Sequence, residues 1–190
     1  MFCTLIFAWL QCDLNHRHRP MNLYPAAMIR HLLLIRHAKS DWDDPSLSDF
    51  ERPLSARGER DVPIMGSRLA TSSILPERIM SSPAQRAKST AMGIARYLAL
   101  PMQDIEWREE LYLASPATML DAIRNHPDHV TTLFLIGHNP GISALTTELC
   151  GEVIDNIPTC GIAHLVGEFN SWKEAGKFRM VNFDYPERQA

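Results

Sequence analysis

The sequence lacks several features that would assign it quickly to a class of protein. It has no internal repeat, no low-complexity stretch and no long hydrophobic run, and its formal net charge is only -3. Without a basic block or a membrane span, it does not resemble a nucleic-acid-binding or membrane protein. Its 45% hydrophobic and 22% charged residues are typical of a soluble globular protein. An anionic substrate would therefore have to be attracted by a local cluster of basic side chains.

Cysteine is scarce, and its spacing argues against two further classes of protein. The four cysteines, Cys3, Cys12, Cys150 and Cys160, form no CxxC pair and no Cys/His pattern typical of a metal site. The sequence also contains neither an HExxH nor a GxxxxGK motif. We expect free thiols in a reducing cytoplasm, with no disulfide framework, no metal ion and no cofactor.

The chain is long enough for one domain with a sizeable core and too short for two. Residues 2–10 are apolar, but no lysine or arginine precedes them, so they match a secretory signal poorly. Met28 stands directly before Ile29, where the first strand pattern begins. We expect one domain over residues 28–190, preceded by a tail at residues 1–27 that is either a start-site artefact or loosely attached.

Two segments share a pattern in which an apolar strand ends in a histidine. The first runs from His31 through four apolar residues to Arg36 and His37, and the second runs from Thr131 to His138. Short apolar runs bounded by polar residues are typical of buried strands in a parallel sheet. Because ligands bind at the carboxyl ends of such strands, the two histidines can face one another across one pocket. Each histidine alone could equally be a strand-end residue that hydrogen-bonds a loop.

Strand and helix patterns alternate along most of the chain. Helical patterns begin at Ser55, at Ser82-Pro83, at Ser115-Pro116 and at Gly141, and strand patterns separate them. A serine followed by a proline supplies an N-cap and a first-turn residue, which predicts helix starts at those two places. The order predicts a single compact three-layer α/β/α domain with a mainly parallel sheet that is covered on both faces.

An arginine follows a third strand end. The helix predicted to begin at Ser82 has Arg86 in its first turns, where an anion is favoured, although a solvated helix arginine is the alternative. Arg36 and Arg86 supply two planar forks that match phosphoryl oxygens, and a neutral imidazole is a competent nucleophile toward phosphorus. The second imidazole, when protonated, adds positive charge to this clamp. Two arginines and two histidines therefore predict phosphoryl transfer.

Four short motifs follow one another along the chain: Leu34-Ile35-Arg36-His37-Ala38, Arg52-Pro53-Leu54-Ser55-Ala56-Arg57-Gly58, Ser82-Pro83-x-x-Arg86-Ala87-x-x-Thr90 and Gly137-His138. They resemble, in the same order, four elements of branch 1 of the histidine phosphatase superfamily. These elements are its Arg-His-Gly signature, its Pro-Leu-Thr-x-x-Gly element, its Ser-x-x-x-Arg-x-x-x-Thr helix start and its second histidine. The resemblance covers residues 29 to 185.

Within that superfamily the chain is most similar to the SixA-like phosphohistidine phosphatases. Ala38 replaces the usual glycine and is followed by Lys39-Ser40-Asp41-Trp42, and Leu111-Tyr112-Leu113-Ala114-Ser115 precedes a helix. The segment between Arg86 and Gly137 is too short for the long helical insertion that covers the site of the mutases. The resemblance implies a phosphoglycerate mutase-like fold without that lid.

The resemblance also implies a role for each candidate residue. His37 is the nucleophile that becomes phosphorylated, and the phosphoryl group is held by Arg36, Arg86 and His138. Glu110 lies where larger members keep a proton donor.

A proton donor is needed less for one class of substrate than for another. A leaving imidazole has a pKa of roughly 6.5, whereas a leaving alkoxide demands a proton. A phosphohistidine phosphatase can therefore work with a weak acid, and Glu109 is as good a candidate for that acid as Glu110.

We expect a metal-independent phosphatase that acts on phosphohistidine of a signalling protein, such as a phosphotransfer domain, in the cytoplasm, with no nucleic acid or membrane as partner. A phosphatase of small phosphoesters, similar to the phosphoglycerate mutases, is one alternative, which the missing lid weakens. An inactive relative that binds phosphoproteins is another. The presence of a nucleophile weakens it, because a binding module need not keep one.

Overall fold

Residues 27–188 are described by the computed structural model, and six strands pair into one sheet: β1 (Ile29–Arg36), β2 (Arg78–Ser81), β3 (Ile105–Trp107), β4 (Thr132–Gly137), β5 (Ile162–Glu168) and β6 (Arg179–Asp184). The helices are α1 (Ala56–Thr71), α2 (Gln85–Tyr97), α3 (Pro116–Arg124) and α4 (Gly141–Cys150), with 3₁₀ turns at Met102–Asp104, Glu109–Leu111 and Trp172–Glu174. In this part of the chain no helix is long and apolar enough to cross a membrane. The tail predicted at residues 1–27 lies, except for residue 27, outside the described residues, so its boundary stays a prediction.

The sheet has the strand order β3-β2-β4-β1-β5-β6, with β4 and β1 at its centre. β3, β2, β4 and β1 pair in parallel, whereas β5 is antiparallel to both β1 and β6. Arg36 pairs with Gly137 in the register of β1 and β4, so His37 and His138 leave the sheet side by side. The predicted mainly parallel sheet is confirmed, with β5 as the one reversed strand within residues 27–188.

β1 explains why helices cover both faces of the sheet. Leu32 and Leu34 pack in a cluster with residues of α3 and α4, whereas Leu33 and Ile35 pack with residues of α1 and α2. Successive side chains of a strand point to opposite faces, so a continuous apolar run fits a strand that is buried on both sides. Each of these side chains contributes about 1.5–3 kcal/mol when it is fully buried. The predicted three layers are confirmed.

The two predicted Ser-Pro helix starts have different outcomes. Ser115 caps α3 as expected, since its hydroxyl accepts a hydrogen bond from the backbone N–H three residues later at 3.1 Å. The prediction for Ser82 was wrong, because α2 begins at Gln85 and its N-cap, Ala84, forms no side-chain cap. The backbone N–H of Ser82 still donates to β4, so the chain has not yet left the sheet at this residue. Its hydroxyl contacts His138 and accepts a hydrogen bond from the backbone N–H of Ala84 at 3.3 Å, ahead of the helix.

The loop between β1 and α1 replaces that missing cap. The first N–H groups of a helix have no partner within the helix. At the start of α2, the backbone N–H of Gln85 donates to the carbonyl oxygen of Phe50 at 2.9 Å. The loop is thereby held against the helix end that also carries Arg86.

Candidate active site

His37 and His138 meet in one pocket, as the sequence predicted. Their ring centroids lie 4.9 Å apart, and their planes are inclined by 56°. Both line an open pocket of about 230 Å³ together with Arg36 and Arg86. The pocket therefore brings the two predicted imidazoles and the two predicted guanidinium groups together, with Arg52 as a third arginine in its lining. The predicted juxtaposition of the two strand-end histidines is confirmed.

Hydrogen bonds fix the orientation of the His37 ring. Its Nδ1 lies 2.8 Å from the carbonyl oxygen of Ala38, and a carbonyl only accepts, so Nδ1 carries the proton. The lone pair is then on Nε2, which accepts a hydrogen bond from Nε of Arg86 at 3.3 Å. Burial, assisted by the neighbouring positive charges, lowers the pKa of His37 to about 3 against the opposing effect of the Ala38 hydrogen bond. At pH 7 the ring is neutral and presents an unprotonated nitrogen beside a guanidinium.

Backbone contacts hold the loop after β1 against α1 and α2. The N–H of Ala38 donates to Oγ1 of Thr90 at 3.0 Å, and the Thr90 hydroxyl donates to the Arg86 carbonyl at 2.7 Å. At Gly58 a Cβ would come within 2.2 Å of the carbonyl oxygen of Lys39. The threonine and the glycine of the sequence motifs thus act on the position of the nucleophile rather than on a ligand.

Arg86 lies between the two imidazoles and a carboxylate, and its side chain is only 4% exposed. Nε donates to His37 and Nη2 lies 3.4 Å from Nδ1 of His138, so this edge of the guanidinium faces both rings. On the other edge, Nη2 donates to the carboxylate of Asp49 at 2.8 Å and Nη1 donates to the Asp49 carbonyl oxygen. Both edges of the planar fork are therefore engaged.

The hydrogen-bond partners of His138 define which of its ring nitrogens carries the proton. Because Nδ1 accepts from Arg86, Nε2 carries the proton and donates it to the Ser82 hydroxyl at 2.8 Å. Burial and the positive charge of Arg86 lower the pKa of His138 to about 4. In the free pocket His138 is therefore neutral at pH 7, whereas the sequence analysis considered the charge that this ring adds when it is protonated.

Arg36 enters the pocket from the end of β1. Its Nη1 donates to the carbonyl oxygen of Ile157 at 2.8 Å and to Oδ1 of Asn156 at 3.1 Å. Its buried Nε has no hydrogen-bond partner within residues 27–188. A buried donor without an acceptor is costly, and such groups occur at sites that bind a ligand or perform chemistry.

The structure does not bring Glu110 to the pocket. Glu110 lies in the 3₁₀ turn after β3, where its carboxylate accepts a hydrogen bond from Nε of Arg108 at 2.9 Å. A hydrogen bond from its own backbone N–H, and then the contact with Arg108, lower its pKa. Neither Glu110 nor its neighbour Glu109 is among the described residues that line the pocket. The role predicted for Glu110 as a proton donor stays a prediction.

Several side chains that contact the predicted residues were not predicted from the sequence. Asp49 binds Arg86, Asn156 binds Arg36 and Ser82 contacts His138, whereas Tyr112 donates to Asp49 at 2.7 Å and packs edge-on against the ring of His138. Tyr112 and Ser82 were noticed only as parts of motifs. Nothing local distinguishes Asp49 from the other aspartates of the same loop, so only the fold could identify it.

No group of three or more His, Cys, Asp or Glu side chains within residues 27–188 is arranged to hold a metal ion. The donors that line the pocket include guanidinium and imidazole nitrogens, which match the oxygens of a phosphoryl group.

Comparison with known proteins agrees with this geometry. Residues 32–131 match the family model of the histidine phosphatase superfamily (branch 1). An uncharacterized chloroplastic protein of Arabidopsis thaliana is 34% identical over 157 residues, which are 77% of this chain and 70% of that protein.

Two solved structures share the fold over most of the chain. The SixA structure from Agrobacterium tumefaciens has a TM-score of 0.72 and 29% identity, over 83% of this chain and 98% of that chain. The structure of the protein histidine phosphatase SixA complexed with tungstate has a TM-score of 0.70 and 26% identity, over 82% of this chain and 97% of that chain. The predicted similarity to SixA is confirmed.

Proposed function

The chain belongs to branch 1 of the histidine phosphatase superfamily and is a phosphatase, and we propose that it hydrolyses phosphohistidine on a signalling protein. The observation that carries this proposal is the state of His37. Its Nδ1–H is held by the Ala38 carbonyl and its Nε2 lone pair faces Arg86 within an open pocket. A neutral imidazole in this orientation is prepared for attack on phosphorus.

The reaction takes place in two displacements. Nε2 of His37 attacks the phosphorus, a new N–P bond forms, and the bond between phosphorus and the substrate nitrogen breaks. The other nitrogen of the substrate ring, with a pKa of roughly 6.5, takes a proton from solvent near neutral pH, so the ring keeps the electron pair of the broken bond and leaves as neutral imidazole. Water then attacks the phosphorus on His37, releases phosphate and restores the neutral ring.

The charges in the pocket support both displacements. Arg36 and Arg86 are cationic, and preorganised donors stabilise the charge that develops on the equatorial oxygens. A phosphoryl dianion beside His138 favours the charged imidazole, because an opposite charge within about 4–6 Å raises the pKa of a histidine. His138 therefore adds positive charge to the clamp once the phosphoryl group is bound.

The shape of the pocket favours a side chain on a protein over a small phosphoester. Between α2 and β4 the chain forms only β3, α3 and short turns, with no lid over the pocket. Two large apolar side chains line its mouth, Trp42 at 70% and Leu113 at 57% exposure. Leu113 has a φ of 47°, a strained backbone conformation of the kind that accumulates at functional sites. An exposed apolar rim of this kind is suited to contact with the surface of a phosphoprotein.

One experiment tests both the nucleophile and the substrate class. The protein is incubated briefly with a phosphorylated histidine-containing phosphotransfer domain that carries radioactive phosphate, and the trapped label is then treated with acid and with base. We expect an acid-labile, base-stable label on His37, and a kcat/KM for the phosphoprotein at least about 100-fold above that for a phosphosugar. A preference for the phosphosugar would instead assign the protein to the small-phosphoester phosphatases. Binding without turnover would identify an inactive phosphoprotein-binding relative.

A further inference from the structure

Asp49 is the one acidic residue among the described residues that line the pocket. It lies in the loop between β1 and α1, and its carboxylate accepts three hydrogen bonds. Nη2 of Arg86 and Nη1 of Arg52 each donate at 2.8 Å, and the Tyr112 hydroxyl donates at 2.7 Å. An acidic side chain in a pocket that binds an anion requires an explanation, because like charges repel.

The position of Asp49 on the guanidinium of Arg86 supplies that explanation. The carboxylate and the main-chain carbonyl of Asp49 bind Nη2 and Nη1, whereas Nε and the second Nη2–H point to the rings of His37 and His138. Asp49 and the phosphoryl group would therefore use opposite edges of the same fork. In the free pocket the edge away from Asp49 contacts only the two imidazoles, so a phosphoryl group on Nε2 of His37 would meet that edge.

We propose that Asp49 is a positioning residue, which aims the Nε–Nη2 edge of Arg86 at the phosphoryl group on His37. Arg86 is nearly buried, and a buried guanidinium is stable only when it is paired and hydrogen-bonded. Three donors, two of them cationic, bind the Asp49 carboxylate, and the positive charge of the two guanidinium groups weakens its repulsion of a phosphoryl group. The inference rests on the clamp that the proposed function assigns to Arg86, but not on phosphohistidine as the substrate.

Proton donation is a different role, and the contacts of Asp49 disfavour it. Burial alone would raise the pKa of this carboxyl, but hydrogen bonds from Tyr112 and Arg86 outweigh burial and lower it. Asp49 is therefore ionised at neutral pH. Its effect on the reaction has to pass through Arg86, and this dependence can be measured.

The test is a double-mutant cycle with p-nitrophenyl phosphate as the substrate. Arg86→Lys keeps the charge and loses the fork, and we expect it to lower kcat about 100-fold. Asp49→Asn should lower kcat about 10- to 30-fold, with KM and the inhibition constant of inorganic phosphate changed less than about three-fold. In the Arg86→Lys background, Asp49→Asn should lower kcat further by less than about two-fold, because the edge that Asp49 aims is no longer present. Asp44→Asn, in the same loop and outside the pocket, is the matched control and should leave kcat unchanged.

Three results would overturn the inference. Multiplicative losses in the double variant would show that Asp49 acts independently of Arg86. A rise in kcat for Asp49→Asn would show that the carboxylate blocks the pocket, and a far larger loss on an alkyl phosphate than on the aryl ester would make it a proton donor. Wild-type kinetics for Arg86→Lys would instead reject the clamp in the proposed function.

A second variant keeps the test valid if Asp49→Asn does not fold. Tyr112→Phe removes one donor from the carboxylate and leaves every charge in place. We expect a loss in kcat of about three-fold that disappears in the Arg86→Lys background. A loss of the same size in both backgrounds would contradict the role of Asp49, and thermal unfolding of each variant separates these effects from instability.

Discussion

His37 and His138 at the carboxyl ends of β1 and β4 can be compared with a second histidine pair, His31 and His164, on β1 and β5. The ring centroids are 4.9 Å apart in the first pair and 5.2 Å in the second. Burial lowers the pKa of all four rings, to about 3 for His37 and to about 4 for both His138 and His164. Proximity and a lowered pKa are therefore common to both pairs and do not by themselves identify an active site.

The two pairs differ in what the ring nitrogens contact. Nδ1 of His31 lies 2.9 Å from Nε2 of His164, so these two rings satisfy one another. The rings of the first pair make no such mutual bond and instead contact Ala38, Arg86 and Ser82. A lone pair directed at a guanidinium distinguishes a potential nucleophile from a structural histidine.

The arginines near the two pairs differ in the same way. His164 and Arg68 line a cavity of about 60 Å³, and Arg68 is committed to structural contacts, including the Asp184 carboxylate at 2.9 Å. Arg36 and Arg86 line a larger and more open pocket, and Arg36 keeps a buried Nε without a partner in the described part of the chain. The two regions therefore differ in whether an arginine is available to a ligand, and not in whether an arginine lies near a histidine.

The largest expected effect is the difference in kcat between a variant that lacks His37 and a variant that lacks His164. His37→Ala should lower kcat at least about 1,000-fold on any phosphoester, because no nucleophile remains. His164→Ala, the matched control, should lower thermal stability and change kcat by less than about two-fold. The comparison would fail if His164→Ala abolished turnover, or if His37→Ala retained it.

A smaller effect is expected on the pH dependence of stability, where the two pairs should behave alike. A histidine whose pKa is lowered in the folded state binds fewer protons than in the unfolded state, so the free energy of unfolding falls as the pH drops below about 6.5. The loss continues down to the folded pKa, which is about 4 for His164 and about 3 for His37. His164→Gln and His37→Gln should each reduce the loss of stability between pH 6.5 and 4.5, measured by urea unfolding. An unchanged pH dependence in either variant would mean that its ring is not buried in the neutral form.

The sequence predicted the first pair and had no signal for the second. Apolar runs that end in histidine locate the strand ends, and parallel pairing then places His37 and His138 together. The contact between His31 and His164 depends on the antiparallel register of β1 and β5, which no local pattern specifies.

The same limit explains which contacts and charges within the pocket could not be predicted from the sequence. Ser82 has the local chemistry of an N-cap, and its contact with His138 arises only from the pairing of β2 with β4. Asp49 reaches Arg86 across 37 positions of the chain. The protonation of His138 depends on burial, which is a property of the packed structure.

The smallest expected effect concerns Glu110, which is outside the pocket in this structure and bound to Arg108. Glu110→Gln should change the turnover of a phosphohistidine substrate by less than about two-fold, because a leaving imidazole needs little help from an acid. Glu106→Gln, which removes the other carboxylate that contacts Arg108 outside the pocket, is the matched control, and Glu109→Gln is measured as the second candidate for the acid. An alkyl phosphate makes the measurement decisive, because general acid catalysis contributes about a hundred- to ten-thousand-fold where the leaving group demands a proton. A loss of that size on the alkyl phosphate alone would show that Glu110 leaves Arg108 in the substrate complex and donates the proton, as the sequence predicted. Equally small changes in turnover on both substrates would show that Glu110, like His164, is a titratable group outside the reaction.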